Sequence, residues 1–449
     1  MSPIIVWFRQ DLRLADNPAL HAAVQTGRPV VPLFVLHRAS DGREWGAASR
    51  WWLDKSLNAL GADLRSKGSR LILRKGDPAM IVPALAEELG AEVHWNRLYG
   101  AEACQRDNDL KTDLGASDFN ASLLIEPWTV KSGTGHPYRV YTPFWKAAQG
   151  LIGDEPVHRA PTHIAAPSHW PGSDDLKDWK LHPTRPDWSG GFDVWTPGEA
   201  GAHARVSAFR EQAGDYAAAR DRPALDGTSH LSPHLHWGEI GPRQVRAALG
   251  DNAKFMAELG WREFNHSLLY QWGDLYRRNM RREFDRLPWR KDKAGLKAWR
   301  EGRTGYPLVD AGMRQLWTTG FMHNRVRMVV ASFLIKHLLI DWREGEAWFW
   351  DCLVDANEAN NPANWQWSAG SGADAQPFFR IFNPIAQGEK FDPQGDYVRR
   401  WAPELKDVPA KAIHEPWEAG GAKGYPPPIV DHAEARARAL EAFKAVKAK

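Results

Sequence analysis

The fold of the amino-terminal part is decided by residues 4–36, which read IIVWFRQDLRLADNPALHAAVQTGRPVVPLFVL. Two apolar runs, Ile4–Phe8 and Val30–Leu36, flank an amphipathic stretch from Ala19 to Gln25. Short, continuously apolar runs are typical of strands that are buried on both faces, and parallel strands need a crossover that is usually a helix. The stretch therefore predicts a strand–helix–strand unit of a parallel sheet.

The same alternation continues to about residue 128. The pattern predicts helices over 49–64 and 83–89, and further strands over 71–73, 93–95 and 123–125. Strands and helices that alternate at this spacing favour a doubly wound parallel sheet with helices on both faces. We therefore predict an α/β domain over residues 1–128.

The remainder of the chain divides into two segments that differ in composition and periodicity. Residues 129–202 are rich in Pro, Gly, His and Trp and show little periodicity, which predicts a long interdomain linker. From residue 203 onward, apolar residues recur at three- and four-residue spacing, notably over 251–276, 310–319 and 324–340. This spacing indicates helices. We predict an all-α domain over residues 203–449 that ends in a charged helix.

Composition excludes several classes of protein. Of the 449 residues, 43% are hydrophobic and 25% are charged, which excludes a disordered or collagen-like chain. The two cysteines, Cys104 and Cys352, form no CxxC pair, so a disulfide scaffold or zinc ribbon is excluded and a cytoplasmic protein with reduced thiols is expected. We expect no signal peptide. The longest apolar stretch, Met328–Ile340, is interrupted by Lys336 and His337, so no membrane span is expected.

Charge and aromatic content leave the partner open. The net charge of +3 is too small to indicate a nucleic-acid partner by itself. Basic residues are concentrated within positions 277–293, where they could follow a phosphodiester backbone or form a solvated helix face, and both interpretations stay open. The chain has 24 Trp, more than its 17 Phe or 9 Tyr, which suggests aromatic chemistry.

A polar segment at residues 226–233, DGTSHLSP, offers hydroxyl groups ahead of a helix that would start near Pro233. Hydroxyl groups at the start of a helix can bind phosphate oxygens. An N-cap by Ser232 also explains the pattern, and on this stretch alone the N-cap is favoured. The spacing of His230, His234 and His236 could hold a metal ion, but the segment lacks a nearby carboxylate triad. Ordinary histidines at a helix start are therefore favoured over a metal site.

The most unusual segment is residues 354–367, VDANEANNPANWQW. Its amides and carboxylates supply the donors and acceptors that a heteroaromatic ring requires, and its indoles supply stacking faces. Burying so many amides without a ligand to pair with them would be costly. We therefore predict a ring-binding site here.

These segments resemble the photolyase/cryptochrome family, specifically the class I photolyases that act on cyclobutane pyrimidine dimers. The resemblance runs from Trp7–Asn17 to Trp401–Leu405, nearly the whole chain, through ELGWREF (258–264), GYPLVDAGMRQL (305–316), MHNRVRM (322–328), NWQWSAGSGADAQPFFRIFNP (364–384) and QGEKFDP (387–393). It implies an α/β domain, a linker and a helical FAD-binding domain. It also implies light-driven repair of UV-damaged duplex DNA with the dimer flipped out. A monomer with no membrane partner and no metal is expected.

The resemblance implies roles for individual residues. The catalytic residues would be Glu258, which hydrogen-bonds the bases of the dimer, Asn361, which faces flavin N5, and Met328. Met328 favours cyclobutane dimers, because relatives that repair (6-4) photoproducts carry a histidine-bearing version of this motif. Arg327 is expected to pair with Asp355. FAD would be bound by Tyr216, Thr228, Ser229, His230, Leu231, Ser232, Phe255, Arg327, Asp355, Ala356, Asn357 and Asn361.

The resemblance also implies which residues contact the DNA and which transfer electrons to the flavin. The indoles of Trp261 and Trp367 would stack on the flipped bases. Electrons that photoreduce the flavin would pass from Trp289 at the surface through Trp342 to Trp365 beside the ring. The full set of predicted DNA and substrate contacts is Arg220, Glu258, Trp261, Arg262, Phe264, Asn324, Arg325, Met328 and Trp367.

Some positions depart from the family pattern. Asn357 stands where many relatives have Asp, and Phe255 where the family has Trp, so we expect altered redox tuning. The segments around Tyr99 and Glu102 match neither folate-binding nor deazaflavin-binding relatives, which leaves a second, antenna chromophore unassigned. The alternatives to a dimer photolyase are a cryptochrome-like photoreceptor, which predicts a carboxy-terminal signalling extension, and a (6-4) photolyase.

Overall fold

The amino-terminal part of the chain is built on a five-stranded parallel sheet. In the computed structural model, which describes residues 1–447, the strand order is β3-β2-β1-β4-β5. The chain extends the sheet first to one side of β1 and then to the other, which is the doubly wound arrangement that the sequence predicts. The strands are β1 Ile4–Phe8, β2 Val30–Leu36, β3 Ile72–Lys75, β4 Glu92–Asn96 and β5 Ser117–Phe119.

Helices cover both faces of this sheet. Val6 and Phe8 of β1 face one core cluster, whereas Ile5 and Trp7 face another. This burial explains why the strands read as continuous apolar runs. The helices are α1 Pro18–Gln25, α2 Ala47–Ser66, α3 Pro78–Leu89 and α4 Ala101–Leu114.

The predicted strand over residues 123–125 is wrong. The backbone N–H groups of Leu124 and Ile125 donate to the carboxylate of Glu263, at 2.9 and 3.3 Å, and not to a neighbouring strand. The fifth strand is the short edge strand β5, which precedes this segment. An apolar triplet reads the same in a sequence whether its backbone pairs with a strand or with a buried side chain.

The predicted linker wraps along both parts of the chain. It contains helix α5 Tyr141–Gln149 and two 3-10 helices, Leu176–Trp179 and Ser189–Val194. The N–H of Asp174 donates to Leu73 O of β3 at 2.9 Å, and the Trp195 indole donates to Thr319 O in the helical part at 2.7 Å. The boundaries at 128 and 202 stay predictions, although α6 starts at Glu199 and so crosses the second of them.

The rest of the described chain is helical, and this confirms the predicted fold class. Short 3-10 helices are Ala213–Asp215, Arg282–Arg286, Pro403–Leu405, Ala410–Ala412 and Pro416–Ala419. The α-helices are α6 Glu199–Gln212, α7 Tyr216–Ala219, α8 Ser232–Trp237, α9 Pro242–Leu249, α10 Ala253–Trp272, α11 Lys293–Arg300, α12 Pro307–Thr319, α13 Asn324–Ser332, α14 Trp342–Cys352, α15 Asn360–Ala369, α16 Pro384–Phe391, α17 Asp396–Trp401 and α18 His432–Lys447.

The helix predicted over 324–340 is divided. After α13, residues Phe333–His337 form a π-helix, and Leu339 then takes a left-handed backbone with φ 54°. Lys336 is buried in this segment, where its ammonium group donates to Arg380 O at 2.9 Å. This hydrogen bond offsets part of the cost of burying the charge. Across residues 1–447, no helix is long and apolar enough to cross a membrane.

Buried polar contacts join the two domains. Arg13 is fully buried and donates to Gly238 O of the helical domain at 2.9 Å and to Ala121 O at 3.0 Å. The Trp52 indole donates to Glu239 at 2.9 Å. Because desolvated hydrogen bonds are costly to break, these contacts fix the placement of one domain on the other.

Candidate active site

Helix α10 carries two predicted substrate residues, Glu258 and Trp261, which are neighbours because they are three positions apart in a helix. The helix begins at Asn252, whose side-chain oxygen accepts from the N–H of Phe255 at 2.9 Å. The side-chain nitrogen of Asn252 donates to Ala213 O at 2.6 Å. The start of α10 is therefore held in place by an asparagine that serves both as a cap and as a link to the preceding segment.

Glu258 begins a chain of ion pairs along the site. Its carboxylate is bonded to the guanidinium of Arg220. Asp221 lies 3.9 Å from Arg220 Nε and 2.9 Å from Arg325 Nη2, and Arg325 Nη1 lies 3.8 Å from the sulfur of Met328. This chain brings together four residues predicted to contact the substrate. Asp221, which links them, is not identified by the sequence.

The Trp261 indole is stacked on the ring of Tyr141 from linker helix α5. The ring centroids are 3.9 Å apart and the planes are within 8° of parallel. The Tyr141 hydroxyl donates to Ala257 O at 2.6 Å, which fixes the tyrosine to α10. Trp261 is half-buried. The stack therefore supports one face of an indole that is predicted to bind a base with its other face.

Two predicted DNA contacts on α10 are contradicted by the structure. Phe264 is 1% exposed and packs against Phe144 in the core, so it has no surface to offer DNA. The guanidinium of Arg262 donates to Ser122 O of the amino-terminal domain at 2.7 Å and to Glu263 at 3.3 Å. Arg262 is thus a contact between the domains.

Asp355 is the centre of the predicted cofactor-binding region. Its Oδ2 accepts from Arg327 Nη2 at 2.9 Å, as predicted, and from the Ser232 hydroxyl at 2.6 Å. Ser232 therefore does not act as the N-cap of α8; the helix starts at Ser232 itself after Leu231. His230 adopts a left-handed backbone with φ 52°, and the Ser229 hydroxyl accepts from the N–H of Leu231 at 3.3 Å.

The unpaired carboxylate oxygen of Asp355 and the hydroxyl groups near it could hold a flavin. Asp355 is 9% exposed, and its Oδ1 has no hydrogen-bond partner among residues 1–447. Leaving a buried carboxylate oxygen unpaired is costly. A bound group with N–H or O–H donors would satisfy it, and a flavin ring with its ribityl chain carries both. The hydroxyl-rich residues Thr228 and Ser229 lie half-buried in the loop before α8.

Other predicted FAD residues are also buried. Tyr216 packs edge-on against Phe255 at 5.6 Å, and burial raises the pKa of the Tyr216 phenol to about 12. Ala356 is fully buried. The Asn357 side-chain oxygen accepts from Ala359 N at 2.9 Å, while its nitrogen lies 3.3 Å from His236 Nδ1. An ionised Asp at position 357 could only accept from the ring N–H of His236, whereas the Asn357 amide nitrogen donates to Nδ1.

Asn361 is held by Glu346, a residue that the sequence does not single out. The Asn361 amide nitrogen donates to the Glu346 carboxylate at 2.9 Å and to Glu346 O at 3.1 Å. Both residues are buried. Burial raises the pKa of the Glu346 carboxyl, and the guanidinium of Arg43 opposes this rise. The residue predicted to face flavin N5 is therefore coupled to a buried carboxylate.

The three predicted electron-transfer tryptophans belong to one hydrophobic cluster. Trp365 is 2% exposed and packs edge-on against Phe349, with centroids 5.0 Å apart. Trp342 is fully buried, and its indole donates to Asn279 Oδ1 at 2.9 Å. Trp289 is only partly buried at the rim of the cluster. Their exposure places Trp289 outermost, while the order of Trp342 and Trp365, which are both buried, stays a prediction.

The remaining predicted substrate residues lie on neighbouring helices. Helix α15, which carries Asn361, Trp365 and Trp367, packs against α10, α13 and α14. Trp367 is half-buried, and Asn324 is exposed at the start of α13. The helix packing thus gathers the predicted substrate and cofactor residues into one region.

The basic cluster at 277–293 is in part a self-paired surface. Arg278 pairs with Asp274 at 2.8 Å, and Arg281 with Glu283 at 2.8 Å. Arg282 lies 3.3 Å from Asp285. These exposed ion pairs neutralise part of the cluster, which holds eight basic and three acidic residues, so both interpretations stay open.

The histidines of HLSPHLH have individual partners: His234 is bonded to Glu239 and His230 lies 2.9 Å from Asp226. In the described part of the chain, no three His, Cys, Asp or Glu side chains are grouped to hold a metal ion.

Comparisons with known proteins identify the family. The family model described as DNA photolyase matches residues 4–163, and the model described as the FAD binding domain of DNA photolyase matches residues 255–445. A deoxyribodipyrimidine photo-lyase of Agrobacterium fabrum is 51% identical over 99% of this chain and 98% of that protein.

Comparison with solved structures indicates the same family. A bacterial class III photolyase from Agrobacterium tumefaciens superposes with a TM-score of 0.95 at 50% identity, covering 100% of this chain and 98% of the other. A cryptochrome from Synechocystis sp. PCC6803 gives a TM-score of 0.86 at 30% identity, covering 98% and 99%. Class I is not confirmed, because the first structure is of a class III enzyme. The chain belongs to the photolyase/cryptochrome family.

Proposed function

We propose that this protein is a light-driven DNA repair lyase that splits cyclobutane pyrimidine dimers with the help of FAD. The observation that carries the proposal is the ion-pair chain from Glu258 to Arg325 and Met328 on α13, the helix whose Arg327 pairs with the buried carboxylate of Asp355. A stacking surface, a hydrogen-bond acceptor and a cofactor cradle meet there. The family-model match to an FAD binding domain supports the cofactor.

The residues of the chain would divide the work as follows. Trp261 and Trp367 would stack on the extruded bases, which costs the duplex local unpairing and is offset by about 1–3 kcal/mol of stacking per base. Glu258 would accept hydrogen bonds from the base edges after exchanging its partner Arg220. Asp355, Arg327 and the loop 228–232 would hold FAD.

When bound in its reduced form and photoexcited, FAD supplies the electron that opens the cyclobutane ring and takes it back afterwards. Trp365, Trp342 and Trp289 would carry electrons inward when the flavin has to be reduced. Asn361 would fix the hydrogen-bond environment beside the ring, with Glu346 as its buried partner.

Several finer assignments belong to this proposal. The substrate is a dimer flipped from duplex DNA, and the protein acts as a cytoplasmic monomer. The motifs predict class I, whereas 50% identity to a class III enzyme favours class III. A second chromophore of folate or deazaflavin type stays unassigned, and a fluorescence spectrum of the purified protein would identify it.

The direct test is blue illumination of the reduced holoprotein with an oligonucleotide that contains a single dimer. We expect the dimer to disappear in the light and to persist in the dark. Glu258→Gln should slow repair while the FAD content stays unchanged. If only a (6-4) lesion is repaired, the substrate assignment is wrong; if neither lesion changes, a photoreceptor role is favoured.

A further inference from the structure

A loop of the amino-terminal domain reaches the helix that carries Glu346. Residues 39–46 connect the sheet to α2, and they dock on α14: the Trp350 indole donates to Glu44 O at 2.8 Å, and Ala47 N donates to Asp351 at 2.9 Å. At Gly46 a side chain would collide with the backbone at Trp350 O. The loop is therefore fitted closely to α14.

Arg43 is the residue of this loop that enters the site. Its guanidinium lies between two aromatic rings, 3.9 Å from the centroid of Tyr276 and 3.7 Å from that of Trp350. It donates to both Glu346 oxygens, at 2.8 and 3.0 Å, and to Asp41 at 2.9 Å. Stacking on both rings holds this planar cation, and therefore its positive charge, at a fixed position beside Glu346.

We propose that Arg43 is a positioning residue for the flavin site: it keeps Glu346 in its charged form and thereby sets the hydrogen bonding of Asn361. The proposal rests on the proposed function, because Asn361 acts beside the flavin only there. A charged carboxylate can only accept hydrogen bonds. Asn361 must therefore present its NH₂ group to Glu346, and its carbonyl oxygen stays available on the other side.

Charge balance makes Arg43 necessary for this arrangement. The groups that face Glu346 are Arg43, Asp41 and the neutral amide of Asn361. The Asp41 and Glu346 side chains are each at most 3% exposed. Two buried carboxylates close together cannot both stay ionised without a cation. Loss of Arg43 should thus add a proton to the pair, and that proton would turn Glu346 into a donor beside Asn361.

The test uses FAD-loaded full-length protein with Arg43 replaced by Met, which keeps the apolar stem and removes the charge. Infrared spectroscopy should show a new protonated-carboxyl band at neutral pH, because loss of the cation raises the pKa of the Glu346 carboxyl further. The band should vanish when Glu346→Gln is added. Light-driven flavin reduction should become pH-dependent over the same range, and Arg43→Lys should restore most of the wild-type profile.

Control variants distinguish a positioning role of Arg43 from a purely structural one. Arg38→Met removes an exposed arginine of the same region, which pairs with Glu44 at 3.0 Å, and should leave every readout unchanged. In the Glu346→Gln background, Arg43→Met should cause no further change in the reduction profile, because the two act in one path. Should Arg43→Met fail to fold, Glu346→Gln alone must show a changed rate of flavin reduction that does not vary with pH, because glutamine resembles the protonated carboxyl and does not titrate.

Three results would overturn the proposal. One is a stable Arg43→Met protein without the carboxyl band and with a wild-type reduction profile, even if it melts earlier. Another is a band that disappears with Asp41→Asn and not with Glu346→Gln. The third is a Glu346→Gln protein whose reduction profile equals that of the wild type. A failure of dimer repair with the infrared results intact would count against the proposed function and not against Arg43.

Discussion

At the level of single residues, the stack of Tyr141 on Trp261 prepares one face of a predicted base-binding site. Replacing Tyr141 with Leu removes the ring and should weaken binding of dimer-containing DNA by up to roughly tenfold, since an aromatic pair contributes about 0.5–1.5 kcal/mol. Tyr141→Phe keeps the stack and loses only the hydrogen bond to Ala257, so it should bind almost normally. Fluorescence titration with dimer DNA measures both. Equal losses in the two variants would contradict the role of stacking.

Trp365 offers a second test at this scale. Its indole is buried in the core cluster with Trp342, and phenylalanine is far harder to oxidise than tryptophan. Trp365→Phe should abolish light-driven reduction of FAD, monitored by flavin absorbance. The same variant, reduced chemically before illumination, should still repair dimers. If both activities fall together, the residue serves the fold and not electron transfer.

Residue-level chemistry was only partly predictable from the sequence. The pair of Arg327 and Asp355 follows from long family motifs, and the structure contains it. Tyr141, Asp221 and Glu346 were not predictable, because each acts through a partner far away in the chain. Arg262 and Phe264 show the opposite error: a motif can be specific to a family because its residues pack, and packing residues do not contact DNA.

At the level of elements, helix α10 depends on the Asn252 cap that orients Glu258 and Trp261. Asn252→Ala should lower the free energy of unfolding by about 1–2 kcal/mol, because it removes the cap and the hydrogen bond to Ala213. Asn252→Asp keeps the cap and should lose less. Denaturant unfolding compares the two. An alanine variant as stable as the aspartate variant would show that the cap contributes nothing here.

Elements with clear periodicity were predicted well. Strands β1 and β2 have the predicted bounds, since a sheet buried on both faces demands continuous apolar runs. The triplet 123–125 failed because its backbone bonds to a side chain of the other domain. The π-helix at 333–337 was also beyond prediction, because a helix of changed winding keeps the same apolar pattern.

At the level of the whole molecule, Glu263 couples the domains to pH. Burial raises the pKa of Glu263 to about 7, while the N–H groups of Leu124 and Ile125 donate to its carboxylate. Between the ordinary glutamate pKa and 7, the folded chain binds the proton more tightly than the unfolded chain. The contribution of Glu263 to stability is therefore fully present at low pH and is lost as the pH rises through 7.

Glu263→Gln should remove this dependence. Relative to the variant, the wild type should lose on the order of 3 kcal/mol of unfolding free energy between about pH 5 and about pH 8. Urea unfolding at the two pH values measures the difference. Parallel pH profiles for the two proteins would show that Glu263 ionises normally in the folded chain.

The ion pair of Arg220 with Glu258 has a consequence for selectivity. Glu258 is already bonded to Arg220 in the absence of DNA, so a lesion that binds Glu258 as we propose must compete with that guanidinium for the same carboxylate. A base that remains paired in an intact duplex has its Watson–Crick donors engaged and is at a disadvantage in that competition. An extruded dimer offers several at once. The arginine thus acts as a threshold: it costs some affinity for the lesion and a larger share of the affinity for undamaged DNA.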